Sequence, residues 1–403
     1  MKFPATEKFV RKLIELVEIE REAEISAMRE EMRRLSGEQR ERLGRAILGL
    51  NGKVIGEEFG YKLVKFGRSR KIRTDIAVGD SVIVSYGNPL KSDYVGVVVE
   101  KGSRYVVVAL ESVPKNLRNV RIDLFVSEIT FKRMIENLRN LNENGVRALE
   151  FALGLRAPEK PEPEEFHSSK LNESQRKAVS LALGSKDFFL IHGPFGTGKT
   201  KTLVEFVVEE VRRGNRVLAT AESNVAVDNL VERLKGRVEL VRLGHPARVS
   251  KDLKETTLFS KIERHPKFSE VLKLRRIAED IIAKRDSYRK PVPQLRRGLS
   301  DEEILELAKK RRGARGLSAK VIESMARWIE FNRRAGELLE KAKELEEEIE
   351  KELIESAEVV LSTNSTAFLL ENDFDVVVVD EATQATIPSV LIPISKSLRL
   401  RGS

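Results

Sequence analysis

One segment limits the folds open to this 403-residue chain more than any other. It reads FFLIHGPFGTGKT at 188–200 and joins an apolar run to an amphipathic stretch. Glycines spaced in this way let backbone N–H groups turn around a phosphate, and the N-terminus of the following helix attracts the same anion. The segment therefore predicts a strand at 188–192, a helix from Lys199 and a phosphate-binding loop between them.

The chemistry expected of this loop is binding of a nucleoside triphosphate with magnesium, and ATP is the nucleotide we expect. Lys199 would neutralise the β- and γ-phosphates, and the hydroxyl of Thr200 would hold Mg²⁺. Eight consecutive residues are predicted to contact this cofactor: Gly193, Pro194, Phe195, Gly196, Thr197, Gly198, Lys199 and Thr200.

A second segment supplies the acidic half of such a site. Four consecutive valines at 376–379 are typical of a buried parallel strand, and Asp380 and Glu381 follow them directly. Asp380 would hold the magnesium ion through water, and Glu381 would act as the general base toward the attacking water. The alternative is two ordinary acidic residues after a buried strand.

Strand and helix patterns alternate around these two segments, which predicts an α/β domain with a parallel sheet. The first part of this domain is expected at 171–250 and the second at 356–403. Residues 251–355 have helical spacing instead, as at Leu338, Ala342, Leu345 and Ile349. A helical hairpin inserted in the sheet domain is the structure that this order predicts.

Upstream, the sequence predicts a small β-barrel carried on a helical stalk. Residues 1–51 contain an apolar stripe at helical spacing, and short β-branched runs with turns follow at 52–128. Five or six strands in that length favour a barrel. Helical spacing returns at 129–157 as a further stalk helix, and the proline-rich acidic segment 158–170 is the expected linker.

Composition excludes several classes of site. The chain has no cysteine, so disulfides, thiolate zinc sites and iron–sulfur clusters are excluded. Charged residues reach 34%, which is typical of a heat-adapted cytosolic protein, although a mesophile with long solvated helices would show the same excess. The net charge of +10 favours an anionic partner such as nucleic acid. With no apolar run near the roughly 18 residues of a membrane span, we expect no membrane association and a cytoplasmic location.

Four segments in succession resemble the motifs of superfamily 1 helicases. They are LNESQ at 171–175, GPFGTGKT at 193–200, ESNVAVDNLVERL at 222–234 and VVVVDEATQAT at 376–386. The resemblance is greatest to the branch that includes the nonsense-mediated-decay helicase and the immunoglobulin-mu-binding helicase. It implies a RecA-like fold for the sheet domain, with the stalk, barrel and helical insert in the order already described.

The resemblance also implies roles for individual residues. Gln175 would read the adenine edge with help from Asn172, and Gln384 would link the γ-phosphate to movement between domains. Ser223 and Asn224 would contact the nucleic-acid backbone. Helix capping is the alternative role for Ser223 and Asn224, and both roles are compatible.

The function implied is that of an ATP-dependent helicase that moves 5′-to-3′ on single-stranded DNA or RNA. Such helicases use a second RecA-like domain that supplies arginine fingers. We expect this chain, a monomer, to be an N-terminal part without that domain and weakly active alone, with residues 401–403 resembling a tag remnant. An ATP-switched nucleic-acid-binding module without unwinding activity is the alternative, and AVDNLVERL at 226–234 argues against a more distant phosphate-loop ATPase.

Basic residues suggest further nucleic-acid contacts. Nine Lys or Arg and three acidic residues lie between Lys273 and Arg297, with Tyr288 among them. A solvated face of the insert is the alternative. Arg242 and Arg248 are also candidates for the nucleic-acid face, with solvated arginines as the equally good alternative.

Overall fold

The computed structural model describes most of the chain, and two of the predictions lie outside it. The described residues are 3–58, 61–168, 170–194, 196–371 and 373–398. The predicted phosphate contact of Phe195 and the predicted tag remnant at 401–403 are not among them. The chain divides into two compact units, Met1–Ser260 with Ala357–Ser403, and Lys261–Ser356, which are described separately below.

Two helices precede the barrel in the first unit. The long helix α1 (Pro4–Arg34) has a proline in its first turn, where the missing N–H is not needed. The short helix α2 (Gly37–Arg42) begins at a capping box in which Ser36 and Gln39 each accept a backbone N–H of the other. Local signals in the sequence therefore explain where both helices begin.

The barrel is a closed, six-stranded antiparallel sheet with the neighbour order β1-β2-β5-β4-β3-β6. Its interior is filled by apolar side chains such as Val64, Phe66, Val108 and Leu110, none of which is measurably exposed. The strands are β1 (Ala46–Glu58), β2 (Tyr61–Gly67), β3 (Ser81–Ser85), β4 (Tyr94–Lys101), β5 (Tyr105–Leu110) and β6 (Val120–Leu124).

The barrel begins earlier than the predicted boundary at residue 52. β1 starts at Ala46, which pairs with Asp123 of β6, and Ile47 and Leu50 are buried in the barrel. A short apolar run of this kind fits a helix or a strand equally well by periodicity alone, so the stalk was predicted too long. Gly52 lies within β1, where an added Cβ would come within 2.7 Å of the Phe66 ring.

The single stalk helix predicted at 129–157 is also wrong, because the structure has two helices there. α3 (Ile129–Arg139) is followed by its C-cap Asn140, and α4 (Glu143–Ala152) is preceded by its N-cap Asn142, whose side chain accepts the backbone N–H of Gly145. Asparagine is a strong N-cap, so the chain restarts rather than continues at this point. Both helices pack on α1.

The predicted linker at 158–170 contacts the helix that follows it, because the backbone N–H of Glu164 donates to the carbonyl of Ser180 at 3.0 Å.

The second sheet is parallel, with the neighbour order β10-β7-β9-β8. Asp380 pairs with Ala221 and Ala221 with Thr363, so three strands end at the same level. The helices of this part are α5 (Glu173–Leu183), α6 (Lys199–Arg212) and α7 (Asn224–Leu234), and the strands are β7 (Val217–Ala221), β8 (Leu240–Arg242), β9 (Val359–Thr363) and β10 (Val376–Asp380).

The strand predicted at 188–192 is not part of this sheet. The described residues 187–194 include no strand, and Leu190 is 78% exposed. An apolar run predicts burial, but a strand also needs a neighbouring strand to hydrogen-bond with. In this sheet β10 pairs with β7. The phosphate-loop segment therefore approaches α6 without regular secondary structure in its described residues.

The second unit is helical. α8 (Leu258–Arg264) leads into it, and α9 (Phe268–Arg285) and α12 (Ala319–Ser356) form an antiparallel pair. The direction of this pair follows from the ion pair of Lys267 with Glu352 and the hydrogen bond of Arg285 to Asn332. Two short helices, α10 (Pro293–Arg296) and α11 (Asp301–Lys309), connect them.

Several side chains of the basic segment 273–297 have partners inside this unit. Arg275 pairs with Glu346, and Arg297 donates to the carbonyl of Arg315. The ring of Tyr288 stacks on Phe331, with centroids 5.6 Å apart. Contacts within the unit thus explain some of the basic side chains in this segment. Contact of the segment with nucleic acid stays a prediction.

The chain returns to the first unit at β9 and reaches its last described helix, α13 (Ile387–Ile394), after a 3-10 helix at Ala382–Gln384. Leu391 of α13 joins a core cluster with Leu13, Leu138 and Leu149. No helix among those described has the length and apolar character needed to cross a membrane.

Candidate nucleotide-binding site

The phosphate loop has the backbone shape that its glycines allow. Gly196 and Gly198 have φ values of 81° and 84°, a region that residues with a Cβ rarely adopt. Gly198 is the N-cap of α6, and Lys199 and Thr200 form the first turn of that helix. A Cβ on Gly198 would lie 2.7 Å from Nε2 of Gln175, so a larger residue here would also displace that side chain.

Lys199 is held over this loop by backbone carbonyls. Its Nζ donates to Gly193 O at 2.7 Å and to Pro194 O at 3.1 Å, and Thr197 Oγ1 also donates to Pro194 O at 2.8 Å. The ammonium group therefore lies beside the N-terminus of α6, where both the helix dipole and its own charge attract an anion.

Thr200 and Asp380 meet although 180 residues separate them in the chain. Thr200 Oγ1 lies 3.5 Å from Asp380 Oδ2, and Asp380 is 8% exposed at the end of β10. One hydroxyl and one carboxylate, completed by water and phosphate oxygens, are a typical Mg²⁺ environment. Among the residues that the structure describes, no group of three or more His, Asp or Glu is placed to hold a metal ion.

Glu381 and Gln384 follow Asp380 at the exposed edge of the sheet. Glu381 has φ 51°, an uncommon conformation for a residue other than glycine, and it turns the chain off β10. Its backbone N–H donates to Asp380 Oδ1 at 2.9 Å, and Gln384 N donates to Glu381 O at 2.9 Å. The side chains of Glu381 and Gln384 are both exposed, and Glu381 directly follows Asp380 in the chain.

Asn172 and Gln175 form a capping box at the start of α5. Asn172 N donates to Gln175 Oε1 at 3.1 Å, and Gln175 N donates to Asn172 Oδ1 at 2.9 Å. Gln175 Nε2 also donates to the carbonyl of Thr197 at 3.0 Å. The structure thus brings the predicted adenine-reading residue into direct contact with the phosphate loop.

Ser223 and Asn224 start α7 at the end of β7. Ser223 Oγ accepts the N–H of Ala226 at 3.1 Å, which is the capping role considered for it. Asn224 Oδ1 accepts from Arg242 Nη2 at 2.9 Å. Because Arg242 is fully buried, its interpretation as a solvated arginine is wrong.

Comparisons with known proteins agree with this geometry. The family described as AAA domain matches residues 170–400. An uncharacterized ATP-dependent helicase of Methanocaldococcus jannaschii is 44% identical over 97% of this chain and 61% of its own length. The chain belongs to the superfamily 1 helicases.

Two further relatives extend the family likeness. The DNA-binding protein SMUBP-2 of Rattus norvegicus is 30% identical over 97% of this chain and 39% of its own length. The DNA polymerase alpha-associated DNA helicase A of Schizosaccharomyces pombe is 27% identical over 96% of this chain and 59% of its own length. The chain thus spans between 39% and 61% of the length of these relatives. Helicase names among them do not favour the alternative of a binding module without unwinding activity.

This helicase also has, at the same sheet edge, a polar network that its sequence did not predict. Glu222 Oε2, after β7, accepts from Asn364 Nδ2 at 2.9 Å and from Ser389 Oγ at 2.6 Å. Asn364 follows β9 and is fully buried, and Ser389 belongs to α13. Polar residues directly after two parallel strands were the available signal, because such strand ends meet at one edge.

The loop after β8 binds the barrel to the helicase sheet. Arg248 Nη2 donates to Ser81 Oγ of β3 at 2.8 Å, so Arg248 is not simply solvated. The ring of His245 packs against that of Tyr61 of β2, with centroids 4.2 Å apart and the planes tilted by 50°. Burial, with a smaller contribution from the positive charge of Arg248, lowers the pKa of His245 to about 4.

We expect this histidine to make the protein less stable in mild acid. The unfolded chain protonates His245 near its ordinary pKa of 6.5, whereas the folded chain keeps it neutral down to about 4. The unfolded state therefore binds more protons between these values, and stability falls as the pH is lowered through them, by at most about 3 kcal/mol. Thermal unfolding at several pH values would measure the effect.

His245→Phe is the matched variant, because it keeps a ring against Tyr61 and removes the titrating group. Its stability is expected to fall less than that of the wild type between pH 6.5 and pH 4, the window set by the two pKa values. Equal losses in the two proteins would show that another group is responsible.

Proposed function

We propose that this chain is the ATP-binding part of a helicase that moves 5′-to-3′ along single-stranded DNA or RNA. The observation that carries the proposal is the approach of Thr200 Oγ1 to Asp380 Oδ2 at 3.5 Å. It joins the first turn of α6 to the end of β10, so phosphate, Mg²⁺ and the attacking water would be held at one place.

Each predicted residue has a role in this proposal. Lys199 neutralises the β- and γ-phosphates, and Thr200 and Asp380 hold Mg²⁺, which neutralises developing charge when bound. Glu381 accepts a proton from the attacking water, and its exposed position beside Asp380 leaves room for that water. Gln384 lies one 3-10 turn further on, which suits a group that responds to the γ-phosphate. Asn172 and Gln175 form the adenine side of the site.

Single-stranded nucleic acid is the proposed partner, with Ser223 and Asn224 at its backbone. They occupy the N-terminus of α7, where backbone N–H groups and the helix dipole favour a phosphate. The names of two relatives, a DNA-binding protein and a DNA helicase, favour DNA. A second RecA-like domain that supplies arginine fingers, a monomeric state and a cytoplasmic location stay predictions.

Lys199→Ala is the variant that tests the ATP site. Losing a charged hydrogen bond to phosphate is expected to weaken binding of Mg²⁺·ATP roughly 10- to 100-fold. Titration of a fluorescent ATP analogue, with Mg²⁺ and then with a chelator, would measure the change. Lys201→Ala is the control, because Lys201 is an exposed lysine on the same helix. Equal affinities of the two variants would contradict the proposed site.

A further inference from the structure

A buried arginine lies directly behind the N-terminus of α7. Arg242 is the last residue of β8, and its side chain has no measurable exposure to solvent. Removing a guanidinium group from water is costly unless its N–H groups find acceptors. The positions of those acceptors therefore indicate the role of Arg242.

The acceptors of Arg242 lie on α7 and on its own strand end. Nη2 donates to Asn224 Oδ1 at 2.9 Å, and Nε donates to Asp228 Oδ1 at 3.3 Å. Nη1 donates to the carbonyl of Leu243. Asp228 is held in turn by the backbone N–H of Ser250, which donates to Oδ2 at 2.9 Å. One planar group thus joins the first turn of α7 to the loop after β8.

This contact decides which way the amide of Asn224 faces. A guanidinium carries only donors, so the atom turned toward Arg242 must be the oxygen. The amide nitrogen is then turned away, and none of the described residues accepts a hydrogen bond from it. Asn224 is partly exposed, next to Ser223 at the helix N-terminus. Nδ2 is therefore available to an acceptor from outside the chain.

We propose that Arg242 is a positioning residue for nucleic-acid binding, which fixes the amide of Asn224 so that Nδ2 donates to a backbone phosphate. The inference rests on the proposed contact of Ser223 and Asn224 with a single strand. A phosphate offers only acceptors, so an amide turned the other way would present an oxygen to it. Arg242 prevents that orientation without touching the nucleic acid.

An arginine suits this task better than another donor. The three nitrogens of its planar fork reach Asn224, Asp228 and Leu243 at the same time, whereas a lysine would have to reach all three acceptors from a single nitrogen. Burial lowers the pKa of Arg242, and the carboxylate of Asp228 opposes that change. A charged donor also polarises the amide and strengthens the hydrogen bond that Nδ2 makes on its other side.

Four proteins test the proposal: the wild type, Asn224→Ala, Arg242→Gln and the double variant. Fluorescence anisotropy of a labelled oligothymidylate at constant salt gives the affinity of each. Asn224→Ala is expected to weaken binding about tenfold, since it removes a hydrogen bond to a charged group. Arg242→Gln should cost nearly as much, because glutamine can donate or accept and no longer fixes the amide. The double variant should bind no more weakly than Asn224→Ala.

Two further variants separate positioning from simple structural support. Asp228→Asn perturbs the same buried arginine but leaves its bond to Asn224, so it should lower the melting temperature and keep the affinity. Asn224→Asp keeps an oxygen toward Arg242 and places another outward, so it should bind more weakly than Asn224→Ala. It tests the orientation even if Arg242→Gln fails to fold.

The outcomes distinguish this inference from the function on which it rests. If Asn224→Ala binds as well as the wild type, the proposed nucleic-acid contact itself fails. If Asn224→Ala is impaired but the losses of the two single variants multiply in the double variant, Arg242 does not act through Asn224. Unchanged binding by Asn224→Asp would likewise overturn the orientation.

Discussion

Replacing Glu381 by glutamine is expected to slow ATP hydrolysis about 10²- to 10⁴-fold and to leave the affinity for ATP nearly unchanged. Glutamine keeps the shape of the side chain but cannot take a proton from water. The phosphate loop and the Thr200–Asp380 pair are untouched, because the Glu381 contact with Asp380 is made by its backbone N–H. Single-turnover hydrolysis of labelled ATP, with protein in excess and with or without single-stranded DNA, gives the rate.

Glu371→Gln is the matched control for this change. Glu371 is an exposed glutamate just before β10, and its replacement should leave the hydrolysis rate within about twofold of the wild type, as for most surface substitutions. If Glu381→Gln hydrolyses ATP as fast as this control, another residue must act as the base.

Replacing Asp123 by alanine is expected to cost the barrel about 3–5 kcal/mol of stability. Asp123 is fully buried in β6, where Oδ1 accepts from Arg40 Nε at 2.9 Å and Oδ2 from Arg121 Nε at 2.6 Å. Arg40 is itself 2% exposed and pairs also with Glu31 of α1. Without Asp123, the buried guanidinium of Arg40 loses one of its two carboxylate partners, and the contact between α2 and the barrel weakens.

Calorimetry together with hydrogen exchange of the barrel amides would measure this loss. The fluorescence of Trp328, the single tryptophan, reports on the helical unit instead and should change little. Glu15→Ala is the control, because the Lys12–Glu15 pair is 3.0 Å long but more than half exposed on both sides, and such pairs contribute about 0–1 kcal/mol. Equal effects of the two variants would mean that the buried pair does not hold the barrel to α2.

The sequence predicted best those features whose chemistry is local. The glycines around Lys199 and the valines before Asp380 each specify a backbone shape within a few residues, and these are the segments that the structure brings together. The start of β1 was not predicted, because a short apolar run fits a helix or a strand equally well. The break before α4 was not predicted, because it depends on the single N-cap residue Asn142.

Contacts between residues far apart in the chain could not be predicted from the sequence. Arg40 and Asp123 are 83 residues apart, and nothing near either one indicates that it is buried. Arg242 looked like any surface arginine, since only the packing of β8 beneath α7 places it next to Asn224. Charged residues that are buried in pairs depend on tertiary structure, which a periodic pattern does not contain.

The cap of α5 also bears on the choice between ATP and GTP. An amide has two N–H groups and two lone pairs, and Gln175 uses one N–H on Thr197 O and one lone pair on Asn172 N. One of each remains, which matches adenine, whose edge offers the N7 acceptor beside the N6 donor. Guanine offers two acceptors there, O6 and N7, so the free lone pair of Gln175 would face an acceptor. Rotating the Gln175 amide by 180° would not remove this mismatch, and it would break the hydrogen bonds to Thr197 O and Asn172 N. With Gln175 as the proposed adenine reader, discrimination between the two bases would be built into a helix cap before any nucleotide arrives.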